Sequence, residues 1–291
     1  MKECELYNVE RDGKTVKCFA CNHKCLIKNG DFGICGVRRN LNSKLYLMVY
    51  GKITSMGIDP IEKKPLYHFY PRTKAFSIGT VGCNFKCEGC QNFEISQINK
   101  QENFNFDFGE DADSKEIVKD ALATGCKSIA YTYNEPAIFL EFVKDIAVLA
   151  RKKGLKNILV TNGYFTRESF DYIAPYIDAM NIDLKSFNND FYLKYCGSKL
   201  APVLDTIKRA HEKGIWIEIT TLIIPGLNDR ERDMEKIASF IASVDKNIPW
   251  HVTRFFPMYK MTTRQITSKE TLEKAYKIGK KYLNDVHMGN V

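Results

Sequence analysis

Cys83, Cys87 and Cys90, in the run GCNFKCEGCQN of residues 82–92, are separated by three and then two residues. They directly follow AFSIGT, a strand-like run. Three thiolates at this spacing can ligate three irons of a cubane iron–sulfur cluster and leave the fourth iron open to a small molecule. A structural zinc ion takes four protein ligands, and inert core cysteines give no reason for the loop position, so both of these readings account for less.

A second group lies near the N-terminus. KCFACNHKCLIKNGDFGIC, residues 17–35, carries Cys18, Cys21, Cys25 and Cys35, with Cys4 and His23 nearby. Four thiols can close a site, and Gly30 and Gly33 favour a compact knuckle around them. Structural zinc, an auxiliary iron–sulfur cluster, and reduced thiols without metal all remain open.

The rest of the chain must position these groups. From about residue 75, strand-like and helix-like segments alternate. The strands are AFSIGT (75–80), SIAYTY (128–133), NILVTN (157–162), AMNIDL (179–184), WIEITTLII (216–224) and HVTRFFP (251–257). Amphipathic helices fill the gaps, one carrying Phe139, Phe142, Val143, Ile146 and Leu149 at helical spacing. Asp113 with Glu116, and Thr267 with Glu270, read as capping pairs. Short connections between strand and helix imply parallel pairing with right-handed crossovers. Strands covered by helices on both faces read as continuous apolar runs. Here Asn181, Asp183 and Lys185 share one face of their strand, and Glu218 and Thr220 share one of theirs. That pattern favours a barrel with a polar interior over a sheet with one solvated face. Polar residues also gather where strands end: Asn134 and Glu135, Thr161 and Asn162, Asp183 and Lys185. In α/β barrels this rim carries the active site. The expectation is an α/β fold: a partial (β/α)6 barrel of TIM type over residues 73–291, with a small N-terminal Cys-rich module over residues 1–72.

Composition is compatible with this. The chain has 291 residues and ten cysteines, and a formal charge of +8 spread widely along it. No apolar run is long enough for a membrane span, and MKECELYNVERDGK lacks the apolar core of a signal peptide. A cytoplasmic location and no membrane partner are expected, with closely spaced cysteines serving metal or redox chemistry rather than disulfides. Cys126 and Cys196 read as structural, His251 as a hydrogen-bonded core residue, and His211 and His287 as having no polar constellation around them.

The cysteine run, together with DPIEKKPLYHFYP, YTYNEP, VTNGYF, NIDLKSF, TTLIIPGLND and RFFPMYK, resembles the radical S-adenosylmethionine (SAM) superfamily from about residue 75 onward. Within it the chain is most similar to the pyruvate formate-lyase activating enzyme group, and closest to the AmmeMemoRadiSam branch. The resemblance implies a [4Fe–4S] cluster on Cys83, Cys87 and Cys90 that reductively cleaves SAM to methionine and a 5′-deoxyadenosyl radical. That radical abstracts hydrogen from a protein or a small molecule. By the same resemblance, Tyr133, Asn134 and Glu135 meet the methionine amino group. Thr161, Asn162, Asp183 and Lys185 serve the ribose and carboxylate, and Leu222 and Tyr259 flank the adenosine. It also implies a ferredoxin or flavodoxin as electron donor and AMMECR1-like or Memo-like proteins as partners. Gly89 stands where the family usually has an aromatic residue beside the adenine, so adenine packing is expected from Phe85 or Tyr133. The chain ends at VHMGNV, from which a more open barrel mouth is expected. Two other classes stay open, radical modification of nucleic acid and a non-catalytic metal-binding module. Nucleic acid is supported only by the net charge.

Overall fold

The computed structural model describes residues 1–100, 104–106 and 108–291. All six expected strands form, and two more join them. In chain order the central sheet contains β1 (Ser55–Pro60), β2 (Lys74–Gly79), β3 (Ser128–Tyr131), β4 (Lys156–Thr161), β5 (Ala179–Asp183), β6 (Trp216–Ile223), β7 (Trp250–Arg254) and β8 (Val286–Gly289). Each strand pairs with its neighbours in sequence, so the spatial order is the chain order. β2 to β8 are parallel, and β1 runs antiparallel along β2. Helices α1 (Ser114–Ala123), α2 (Leu140–Lys152), α3 (Arg167–Ile173), α4 (Ala201–Glu212), α5 (Glu231–Val244) and α6 (Lys269–Gly279) fill the crossovers. The result is an α/β fold with a mostly parallel sheet.

Local chemistry explains most of the boundaries. Asp113 and Glu116 form the expected capping box on α1. At α6 the cap is Ser268, which accepts from Thr271 N at 3.2 Å, one residue beyond the expected Thr267. Thr267 is fully buried instead, donating to Ile223 O at 2.6 Å and accepting from Phe255 N at 3.0 Å, and so ties β6 to the end of β7. On α2, Phe142, Val143, Ile146 and Ala147 are buried against the sheet. Each of the larger side chains contributes about 1.5–3 kcal/mol by leaving water.

The polar interior has two uses. Residues 61–69 cross the barrel at the N-terminal ends of the strands, where Ile61 and Leu66 bury themselves among Ala75, Ala130, Ile158 and Ala179. Asn181 Nδ2 donates to Pro65 O (2.8 Å), and the carboxylate of Glu218 accepts from Tyr67 N and His68 N (2.9 Å each). His251 is buried as expected, its Nε2 2.7 Å from Glu218. Asn181 and Glu218 therefore hold a plug, while other interior polar groups, Thr220 and His251 among them, border the cavity above it.

The N-terminal residues form two small antiparallel sheets. One contains Lys2–Glu3, Arg38–Leu41 and Lys44–Leu47, the other Tyr7–Val9, Val16–Cys18 and Leu26–Ile27. They are joined to the barrel by a fully buried ion pair. Arg38 Nη1 and Nη2 donate to Glu141 at 2.9 and 2.6 Å, and Arg38 Nε donates to Ile138 O at 2.9 Å. Residues 55–60 already pair with the central sheet, and residue 72, the expected module boundary, lies between the plug and β2. Among the described residues no helix is long and apolar enough to cross a membrane.

Candidate active site

Residues 80–92 leave β2 at the C-terminal rim. Gly82 has φ +94°, and a Cβ there would lie 2.7 Å from Val37 and 2.8 Å from Cys35 O. Only glycine lets the loop turn this tightly against the N-terminal residues. Cys83, Cys87 and Cys90 follow, all half-buried, along one wall of a cavity of ≈ 930 Å³. Phe85 N donates to Cys83 Sγ (3.3 Å), and Cys90 Sγ lies 3.3 Å from Ser96 Oγ. Burial, then the charge of Glu135, pushes the Cys83 thiol up. Cys87 is lowered by a hydrogen bond with Cys196, helped by the charge of Lys185. Cys196 is thus a buried neighbour of the cluster loop.

The loop offers three sulfurs, one fewer than a closed structural zinc site takes. Beside them Asn84 Nδ2 is buried without a hydrogen-bond partner among the described residues. Three soft donors on one loop fit an iron–sulfur cluster.

The other walls come from the next strand ends. Tyr133, at φ +67°, Asn134 and Glu135 follow β3. Asn134 Nδ2 donates to Gly82 O (2.9 Å) and Asn92 Nδ2 to Tyr133 O (2.6 Å), clamping this turn to the cysteine loop. Glu135 is fully buried. Its carboxylate accepts from Thr161 Oγ1 (2.6 Å), Asn162 N (2.8 Å) and Ala137 N (3.0 Å). Burial outweighs these bonds and pushes the carboxyl up to about 7. Asn162 Nδ2 donates to Asn84 Oδ1 (2.7 Å). Lys185 Nζ is 2.8 Å from Asp183. Burial pulls this ammonium down, but Asp183 holds it well above the usual lysine range. Leu222 also borders the cavity.

Eight of the nine residues assigned to SAM by resemblance therefore line the cavity, and Tyr259 does not. Its ring lies on Phe93, centroids 4.8 Å apart. The missing aromatic residue is compensated across the cavity. A Cβ on Gly89 would lie 2.8 Å from Tyr195 Oη, 3.0 Å from Phe255 and 3.1 Å from Met261 Sδ. Tyr195 belongs to a single π-turn, Tyr192–Cys196, a distortion often found at functional sites. Phe85 lines the cavity as well and packs against Tyr164 and Tyr192. Tyr133 is held by Asp59 through its hydroxyl (3.1 Å), with Lys64 over its ring. Asp59 and Lys64 line the cavity too; both belong to the run DPIEKKPLYHFYP, to which the sequence alone gave no site role. His287 also departs from expectation: its Nε2 is 2.8 Å from His68 Nε2, with Asp285 close by, below the plug. Partners 219 positions apart in the chain leave no local signal.

Residues 77–241 match the family model of the radical SAM superfamily. The chain belongs to that superfamily. An uncharacterized protein of Methanocaldococcus jannaschii is 43% identical over 293 residues, covering all of this chain and 86% of that one. A pyruvate formate-lyase-activating enzyme of Clostridium pasteurianum is 22% identical over 220 residues, covering 69% of this chain and 88% of that one. Among solved structures, a radical SAM methyltransferase of Sphaerobacter thermophilus shares the fold, with TM-score 0.58 and 13% identity over 99% of this chain and 75% of that one. This radical SAM protein is accordingly an enzyme whose cofactors are a [4Fe–4S] cluster and SAM.

Proposed function

We propose that this radical SAM enzyme is of the activating type and takes a hydrogen atom from a segment of a protein substrate. One observation carries the reading: three cluster-type thiols share a single cavity with Glu135, Asp183 and Lys185. The name of the Clostridium relative supports the activating type. When bound, the cluster and SAM supply a 5′-deoxyadenosyl radical.

The chain's own residues divide the work of binding. Cys83, Cys87 and Cys90 would hold the cluster. The turn Tyr133 to Glu135 would receive the methionine ammonium. A cation there restores the ionised state that burial disfavours in Glu135. Lys185 would face a carboxylate while Asp183 keeps it charged, with Thr161 and Asn162 at the ribose. Leu222 and Tyr195 would exclude water from the adenosyl group. A ferredoxin or flavodoxin is the proposed donor in a cytoplasmic setting. AMMECR1-like and Memo-like proteins are the first candidates for the protein substrate.

The test is anaerobic reconstitution with SAM and a reductant, followed by measurement of methionine and 5′-deoxyadenosine, first alone and then with each candidate protein. The expected result is equal formation of the two products and a protein-borne radical signal with the true substrate. A loaded cluster that leaves SAM intact sinks the reading. Turnover raised by small molecules but by neither protein would replace the protein substrate with a small one.

A further inference from the structure

The cavity accounts for three cysteines and leaves four others without a task. Cys18, Cys21, Cys25 and Cys35 border one small void together with Arg38 and Ile138. Two separate turns bring them there. Cys18 ends the strand Val16–Cys18 and its N–H donates to Cys25 O (3.0 Å). Between them Lys24 takes φ +46°, which closes the first turn. The second folds back at Gly33, whose N–H donates to Arg38 O (2.9 Å) and where a Cβ would come within 3.7 Å of Cys25 Sγ. Cys18, Cys21 and Cys35 are buried and Cys25 is half-buried.

Four thiolates around one void suit a closed metal site, a zinc tetrahedron or an iron–sulfur cluster, and the neighbourhood of the barrel cysteines favours the cluster. Four thiolates leave no iron of a cubane open. Such a cluster cannot chelate SAM and is left with carrying electrons.

The position fits that task. A Cβ on Gly82, the residue bonded to Cys83, would lie 2.8 Å from Cys35 O, so the two cysteine segments pass close to each other. Asn99 Nδ2 donates to Cys35 O (3.0 Å), and His23, between Cys21 and Cys25, places Nε2 2.8 Å from Asn84 O. The hydrogen bond between His23 and Asn84 O joins the N-terminal cysteine segment directly to the residue after Cys83. On the outer side, Leu26 and Ile34 are 64% and 52% exposed, each next in sequence to a cysteine of the group, with exposed Lys24 and Lys28 beside them. Exposed lysines and apolar side chains next in sequence to the cysteines suit an acidic partner.

We propose that Cys18, Cys21, Cys25 and Cys35 hold a second, fully ligated iron–sulfur cluster that relays single electrons from an acidic carrier protein to the barrel cluster. The relay rests on the radical SAM reading, but the second cluster does not. A reduced carrier of the flavodoxin or ferredoxin class gives up one electron and is oxidised. The N-terminal cluster gains that electron and returns to its oxidised state on passing it to the barrel cluster. No bond is made or broken and no proton is required.

The first test compares the anaerobically reconstituted full chain with the triple variant C83A/C87A/C90A. The variant should keep about four irons and four acid-labile sulfides per chain, with a paramagnetic signal on reduction that SAM does not alter. Zinc without sulfide, or a folded variant with no metal, overturns the cluster. The second test follows reduction of the barrel cluster by reduced flavodoxin and by dithionite in C25S and in the surface variant K24E/K28E. Flavodoxin-driven reduction should slow roughly tenfold in each, with dithionite-driven reduction unchanged. Unchanged flavodoxin rates overturn the relay, and the charge-reversal pair keeps the test decisive if C25S fails to fold. SAM cleavage by the wild type alongside a metal-free triple variant would reject this proposal and leave the proposed function standing. The converse pattern would do the opposite.

Discussion

Gly89 offers a direct test of how the cavity wall is built. Alanine there places a Cβ 2.8 Å from Tyr195 Oη, 3.0 Å from Phe255 and 3.1 Å from Met261 Sδ. Phe255 is fully buried and Tyr195 and Met261 nearly so, so the neighbours cannot all yield cheaply. Overpacking of this kind costs about 1–3 kcal/mol, and 1 kcal/mol lowers the melting temperature of a chain of this size class by about 2–4 °C. Tyr195→Phe removes the oxygen that the new Cβ meets first, at the cost of the hydrogen bond from Gly89 N to Tyr195 Oη (3.2 Å), about 1 kcal/mol. In G89A/Y195F the two losses overlap, so the double variant should be more stable than the sum predicts by about 1 kcal/mol or more. Anaerobic thermal unfolding of the four proteins, with iron content measured in each, gives the cycle. Strict additivity, or a G89A protein that melts with the wild type, would refute the wall described above.

Cys83→Ala, Cys87→Ala and Cys90→Ala should each abolish the change that SAM produces in the reduced cluster's paramagnetic signal; survival of that change in all three would remove the cluster from this loop. Glu141→Gln should destabilise the protein by about 3–5 kcal/mol, since it strands the buried Arg38 guanidinium, and denaturant unfolding at neutral pH would show it as a lowered midpoint. Glu135 should make stability depend on pH. Its folded value of about 7 lies above the ordinary 4.5, so the folded state binds the proton more tightly and stability falls as pH rises from about 4.5 to about 7, by about 3 kcal/mol in all. Glu135→Gln should flatten that part of the curve, and parallel curves for the two proteins would count against the burial argument. Asp183→Asn should weaken SAM binding with little change in melting temperature, because Asp183 is half-exposed to the cavity and its one ion pair is with Lys185; calorimetric titration with unchanged affinity would place SAM elsewhere.

Much of this enzyme was legible from short-range pattern. The alternation of strand and helix, the polar faces of β5 and β6, and the thiols of residues 83–90 are all encoded within a few residues of one another. Spacing of that kind survives folding because a strand's period and a loop's reach are local properties. The eight expected residues that line the cavity lie at or just beyond the C-terminal ends of strands for the same reason, since parallel strands joined by helices bring every such end to one rim.

What the sequence alone did not settle depends on partners far apart in the chain. β1 and β8 are a six- and a four-residue strand, defined by the strand each pairs with rather than by alternation of their own. The plug uses Asn181 and Glu218 for backbone it meets more than a hundred positions away, so their polarity read as an open interior. Glu135 read by resemblance as a group for the methionine ammonium, but its three hydrogen bonds, from Thr161 at the end of β4, from Asn162 and from its own short helix, make it part of the frame as well. The space left by Gly89 is filled from residues 195, 255 and 261, and no spacing rule connects them. Only the closed packing of the chain decides which side chain occupies a given volume, because at interior density each position is settled by all of its neighbours together.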